Sequence, residues 1–149
     1  MFELNGARVL VVGGTSGIGL GAAQMATELG AHVTVASRSA DKVRAAKETI
    51  GHGAVGQTLD TADESAIEAF FKNEAPFDHV VVSASQTQSS LVKELPLATA
   101  YANMNSKFWG AYRIARAARI NDKGSLTLVS GYLSIRPRKG SAIQGAINA

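Results

Sequence analysis

Residues 8–19 read Arg8-Val9-Leu10-Val11-Val12-Gly13-Gly14-Thr15-Ser16-Gly17-Ile18-Gly19, and this stretch decides the fold. Arg8–Val12 is a short, β-branched, non-alternating run, the pattern of a strand buried on both faces. Glycines follow it directly. Gly19–Leu29 then brings Ala22, Ala26 and Leu29 onto one helical face, and Gly30 stands in the C′ position that ends a helix. Glycines between a strand and a helix permit positive φ and let the backbone approach a pyrophosphate. The N–H groups of the helix start then face the negative charge. A turn without a ligand needs fewer than the four glycines found in these seven positions, 13–19.

Outward from this unit the same alternation continues. His32–Ala36 is a second strand and Ser39–Ile50 a second helix with Ser39 as N-cap. Ala54–Thr58 is a third strand. Thr61–Asn73 is a third helix, with Thr61 and Glu64 as a capping box and Ile67, Phe70 and Phe71 facing inward. His79–Ser83 is a fourth strand, followed by a polar loop over 84–90. A long helix is expected over Leu97–Ile120, with Met104, Phe108, Tyr112 and Ala115 as its inward stripe. Ser125–Ser130 is a fifth strand, Tyr132–Lys139 a loop broken by Pro137, and Gly140–Ala149 the start of a helix. Alternating strands and helices with apolar strands predict an α/β fold, a doubly wound parallel sheet in strand order 3-2-1-4-5. Residues 1–149 are expected to form one dinucleotide-binding domain. The last helix breaks off without a cap, and the apolar fifth strand would lie at an open sheet edge. Both predict a domain incomplete at its C-terminal end.

Composition narrows the function classes. The chain has 149 residues, 46% hydrophobic and 18% charged, enough for a sizeable core. It has no Cys, so disulfides, thiolate metal sites and a Cys nucleophile are excluded. His32, His52 and His79 are too scattered to suggest a metal cluster. No apolar run approaches the roughly 20 residues of a membrane span. Residues 1–6 lack the basic and apolar regions of a secretory leader, which predicts a cytoplasmic protein. The net charge of +3 is uneven. Residues 1–104 hold 7 Lys/Arg against 11 Asp/Glu, whereas residues 105–149 hold 8 against Asp122 alone. These cations spread over two elements without interleaved aromatics, which favours a solvated face over a nucleic-acid surface.

The loop Gly13-x3-Gly17-x-Gly19, together with the order of elements along the whole chain, resembles the short-chain dehydrogenase/reductase family, although Val12 stands at that family's usual Thr. The resemblance implies a Rossmann-type sheet binding a nicotinamide dinucleotide through Gly13, Thr15, Ser16, Gly17, Ile18 and Gly19. Family chains are usually longer, and this sequence would end inside the family's fifth helix. The cofactor is chosen at the end of the second strand, where an acid favours NAD and an Arg accommodates the 2′-phosphate of NADP. Here the residues are Ser37-Arg38-Ser39, which predicts NADP(H). Asp60 resembles the family residue that touches adenine, with a helix-capping role as the alternative. Ser83 and Ala84 lie where the family reads Asn-Asn-Ala-Gly.

The catalytic positions depart from the family. Its Tyr-x3-Lys pair is absent. Alignment of the fifth helix puts Gln144 at the Tyr and Asn148 at the Lys, and neither amide transfers protons near neutral pH. Ser130 adjoins the family's Ser position, Asn105 matches its helix-four Asn, and Tyr132 is a nearby phenol that the sequence also reads as a surface residue. The resemblance therefore implies an NADP-dependent oxidoreductase acting on a small carbonyl or alcohol, with a non-standard site drawn from Ser130, Asn105, Gln144, Asn148 and Tyr132. The alternative is a catalytically silent NADP(H) sensor or subunit. A homodimer or homotetramer through the fourth and fifth helices is implied, with Trp109 one position off the inward stripe. Neither nucleic acid nor membrane is an expected partner.

Overall fold

The computed structural model describes residues 4–149, so residues 1–3 of the stretch read as lacking a leader lie outside it. Five strands form one parallel sheet in the order β3-β2-β1-β4-β5. They are β1 (Arg8–Val12), β2 (His32–Ser37), β3 (Val55–Thr58), β4 (Phe77–Val82) and β5 (Ile120–Leu128). The helices are α1 (Gly17–Glu28), α2 (Ala40–Ile50), α3 (Glu64–Asn73), α4 (Leu97–Asn103), α5 (Gly110–Ala117) and α6 (Ala142–Asn148). Among the described residues, no helix is long and apolar enough to cross a membrane.

The non-alternating pattern of β1 has its cause in two cores. Leu10 and Val12 point into a cluster with Ile67, Phe70, Phe71, Phe77 and Ile114, beneath α3 and α5. Val9 and Val11 point the other way, among Ala23, Ala26, Val33, Val35 and Ala46, beneath α1 and α2. A strand covered on both faces must be apolar throughout. β1 pairs with β2 on one side and β4 on the other, which aligns Val12 with Ala36 and Val82 and brings the strand ends to one rim.

Several expectations need correction. The cap of α3 is Asp63, whose Oδ1 accepts from Ala66 N at 2.9 Å, so Thr61 and Glu64 form no capping box. The single long helix is α4, a π-helical turn over Met104–Trp109, and α5. It ends at Ala117, because Ala118 turns extended and Arg119 O accepts from Phe77 N at 2.9 Å, beginning the pairing with β4. Nothing local in Arg116–Asn121 signals this stop; tertiary pairing decides it. The inward stripe is also different. Asn103, Gly110 and Ile114 are buried, whereas Phe108, Trp109 and Tyr112 are 42%, 46% and 56% exposed. The small Gly110 lets the rod lie close against Thr61, where a Cβ would meet Thr61 Oγ1 at 2.9 Å. β5 begins at Ile120 rather than Ser125, with a register irregularity opposite Phe77–His79, and ends at Leu128.

The C-terminal cations find partners that are distant in sequence. Arg116 pairs with Glu64 at 2.9 Å, Arg113 donates to Thr61 O and Asn105 Oδ1, and Arg119 donates to Glu74 O at 3.1 Å. Among the described residues, Arg116–Glu64 is the ion pair that links these C-terminal cations to an acid of α3.

Candidate functional site

A cleft of about 630 Å³ runs along the carboxyl ends of the strands. In an open α/β sheet this rim, where successive crossovers leave β1 in opposite directions, is where ligands bind. Its floor is the glycine loop. Gly13 has φ +87°, and a Cβ there would collide with the backbone of Ser83 and Ala84. A Cβ on Gly19 would collide with Gly13 O and Ser83 Oγ. These two glycines therefore let the loop pack against the segment after β4. Gly17 differs: its φ is +51° and a Cβ would meet nothing within 4 Å, so its missing side chain keeps the cleft open. Ser16 begins α1 without a side-chain cap bond, and the first turn holds no acid. The N–H groups and positive end of this helix border the cleft as an anion site.

Ser83 holds the loop in place. Its Oγ donates to Gly13 O at 3.3 Å, and its N–H donates to Val12 O at 2.9 Å. Thr15, Ser16, Ile18 and Ala84 line the same cleft, with Ile18 70% exposed. At the β2 end stand Ser37, Arg38 and Lys42. Both cations are exposed, and neither has an ion-pair partner among the described residues. Lys42 was not singled out in the sequence. Its signal is its place in the first turn of α2, four residues after Arg38, which stands just before the Ser39 cap. Asp60 lines the cleft after β3 and accepts from Ala62 N at 2.9 Å, which ties down a turn rather than capping α3.

At the β4 and β5 end the candidates separate. Ser130 and Asn105 line the cleft. Asn105 Oδ1 accepts from Arg113 Nη2 at 2.8 Å, and Ser130 Oγ donates to Asn148 O at 2.6 Å. Asn148 is not a lining residue, but its Oδ1 accepts from Lys107 Nζ at 2.6 Å, and Lys107 does line the cleft. Burial holds the Lys107 ammonium below the ordinary lysine value. Gln144 lies away from the cleft. It is buried, and its Nε2 donates to Gln88 O and Ser89 Oγ, bracing the loop that Asn103 also holds. Tyr132 starts a 3-10 turn, is 66% exposed and does not line the cleft. Of the five catalytic candidates the fold thus gathers Ser130 and Asn105, with Asn148 one bond behind. Sequence reasoning missed Lys107 and Arg113, since both lie on a rod whose phase the aromatic residues concealed.

Asp78 and Asp122 stand at the opposite rim, as their positions near strand starts predict. Asp78 Oδ1 accepts from Asn121 Nδ2 and Oδ2 accepts from Arg8 N, and these bonds lower its pKa from 3.8.

Comparison with known proteins bears on this geometry. The family described as short chain dehydrogenase matches residues 7–141. The short-chain dehydrogenase/reductase ATR9 of Stachybotrys chlorohalonatus is 28% identical over 160 residues, covering 96% of this chain and 63% of its own. A solved structure of a short chain dehydrogenase/reductase family protein is 26% identical with a TM-score of 0.91, covering 99% of this chain and 64% of its own. A serine dehydrogenase from Escherichia coli, at 19% identity, has a TM-score of 0.87 and covers 95% of this chain and 69% of its own; that likeness concerns the fold alone. The chain spans slightly under two thirds of the length of the curated relative it matches.

Proposed function

The chain belongs to the short-chain dehydrogenase family, and from that premise we propose that it is an NADP-dependent oxidoreductase acting on a small carbonyl or alcohol. One observation carries the cofactor choice. Arg38 and Lys42 face the cleft at the end of β2 without ion-pair partners among the described residues, and no acid stands at Ser37–Ser39. A 2′-phosphate offers such cations a charge-assisted bond, whereas a bare ribose 2′-OH offers an Arg little. The site fits the rest of a dinucleotide as well. The uncapped start of α1 and the open space at Gly17 suit a pyrophosphate.

When bound, NADPH supplies a hydride to a carbonyl carbon, and the protein supplies binding, orientation and polarisation. Ser130 meets the substrate oxygen either as acceptor from an alcohol O–H, while its own O–H goes to Asn148 O, or as donor to a carbonyl once it turns from Asn148 O. Asn105, fixed by Arg113, presents its amide at the same end of the cleft. A cytoplasmic location and assembly as a homodimer or homotetramer belong to the same proposal. The exposed rings of Phe108, Trp109 and Tyr112, packed edge-to-face at 5.0 and 5.7 Å, support an interface there.

A second reading, a silent NADP(H)-binding sensor or subunit, is favoured by one feature. No Tyr lines the cleft among the described residues, so the phenol on which the family's chemistry rests is missing. NADPH oxidation over a panel of aldehydes, ketones and quinones separates the two. Turnover that falls at least ~10-fold in Ser130→Ala, as lost polarising hydrogen bonds do, supports the enzyme. Tight NADPH binding with no turnover on any substrate supports the sensor.

A further inference from the structure

The two ends of the cleft differ in their cations. Arg38, Lys42 and Asp60 stand at the β2 and β3 end. At the β4 and β5 end Lys107 is the one ionisable side chain lining the cleft, among the described residues. It projects from the π-helical turn between α4 and α5, and no carboxylate pairs with it among those residues. Its Nζ donates to Asn148 Oδ1 at 2.6 Å.

An ammonium has three donors. One is spent on Asn148, which leaves donor capacity for the cleft. Asn148 is itself fixed. Its carbonyl accepts from Ser130 Oγ, and its side chain abuts Gly131, where a Cβ would come within 2.7 Å of Asn148 Nδ2. Burying an ammonium against a neutral amide costs desolvation that no opposite charge offsets, and the lowered pKa of Lys107 reflects that cost. A contact that merely joined α6 to the rod could be made by a neutral donor. An unpaired, partly desolvated cation at the end of a ligand cleft is a functional-site signature. By the alignment of the last helix, Asn148 stands where the resembled family carries its lysine. An ammonium therefore reaches that place from a different helix.

We propose that Lys107 is the cation that binds the hydroxyls of the nicotinamide-proximal ribose, with Asn148 as its positioning residue. This rests on the dinucleotide reading above and holds whether or not the bound cofactor is turned over. A ribose diol matches an ammonium with unused donors.

The test compares two ligands by calorimetry on the intact protein. NADPH carries the second ribose, and 2′,5′-ADP ends before it. Lys107→Met and Lys107→Gln should each weaken NADPH about 10-fold, the loss of a charge-assisted bond, and leave 2′,5′-ADP within about 2-fold. Exchanging the two side chains, Lys107→Asn with Asn148→Lys, should recover most of the NADPH affinity. Unchanged NADPH binding overturns the assignment. Equal loss for both ligands overturns it too, since that is what a structural role would produce. A folded exchange variant no better than Lys107→Met also counts against it. If the unmutated protein binds neither ligand, the dinucleotide reading itself fails, an outcome distinct from the others.

Discussion

Adding one methyl group to Gly19 separates packing from propensity in the glycine loop. Gly19 lies in the first turns of α1 and is buried. A Cβ there would collide with Gly13 O and Ser83 Oγ and come within 2.8 Å of the Gly13 carbonyl carbon. Ser83 Oγ could rotate away, but Gly13 is backbone, itself pinned by the bond from its N–H to Ala36 O at 2.8 Å. Overpacking against such atoms costs about 1–3 kcal/mol. Replacing a helical Gly by Ala gains about 0.5–1 kcal/mol in return. Because two of the three atoms met are backbone, the upper end of that cost applies, and the net for Gly19→Ala is a loss of about 2 kcal/mol, or a fall in Tm of several degrees at roughly 2–8 °C per kcal/mol. Gly21, two residues on, is the control, because a Cβ there would meet nothing within 4 Å. Gly21→Ala should raise Tm by a few degrees. Thermal melts by circular dichroism of the two variants should therefore move in opposite directions. Equal shifts, or a Gly19→Ala protein as stable as the original, would refute the packing argument. Gly19, which the resemblance places among the cofactor-binding residues, lines the cleft and also packs the loop, whereas a Cβ at Gly17 in the same cleft would meet nothing within 4 Å.

Other outcomes follow from the same contacts. Ile114 is fully buried at the centre of the α3–α5 core, so Ile114→Ala should cost about 2–5 kcal/mol in denaturant unfolding. Asp78 has a lowered pKa through its bonds from Asn121 and Arg8 N; its stabilisation is complete above its unfolded value of 3.8 and is lost as pH falls through the lowered folded value. Asp78→Asn should therefore lower Tm at pH 6 and narrow the gap from the original protein near pH 2, and a gap that widens in acid would contradict this. If Trp109 anchors a two-fold interface, Trp109→Ala should shift the protein towards monomer at micromolar concentration in light scattering, at about 2 kcal/mol or more for a hot-spot aromatic; an original protein already monomeric there would remove the interface.

The sheet was legible because its signals are local. Apolar runs without alternation, Gly30 after α1 and Ser39 before α2 each carry their own physics, and Ser39 Oγ does accept from Lys42 N at 3.4 Å. The glycine loop was legible for the same reason. The rod over 97–117 was not. Its large aromatic residues suggested a buried stripe, yet the close approach to the sheet requires Gly110 and Asn103 inward and leaves Phe108, Trp109 and Tyr112 outside. The phase error concealed Lys107 and Arg113, which sit on turns where spacing alone gives no orientation. Gln144 and Asn148 were placed by alignment to a family motif that this chain lacks. Of the two, only Asn148 is bonded to residues of the cleft; Gln144 went to a loop whose course no local signal specifies.

The account stands most directly on the cleft as an NADP(H) site. Calorimetric titration of the intact protein with NADPH and with NADH, repeated for Arg38→Asp, tests it. We expect one NADPH per chain, bound at least ~10-fold more tightly than NADH because of the charge-assisted phosphate contact. That preference should narrow or reverse in Arg38→Asp. Equal affinity for the two cofactors in the unmutated protein would contradict the role given to Arg38, and binding of neither would contradict the site.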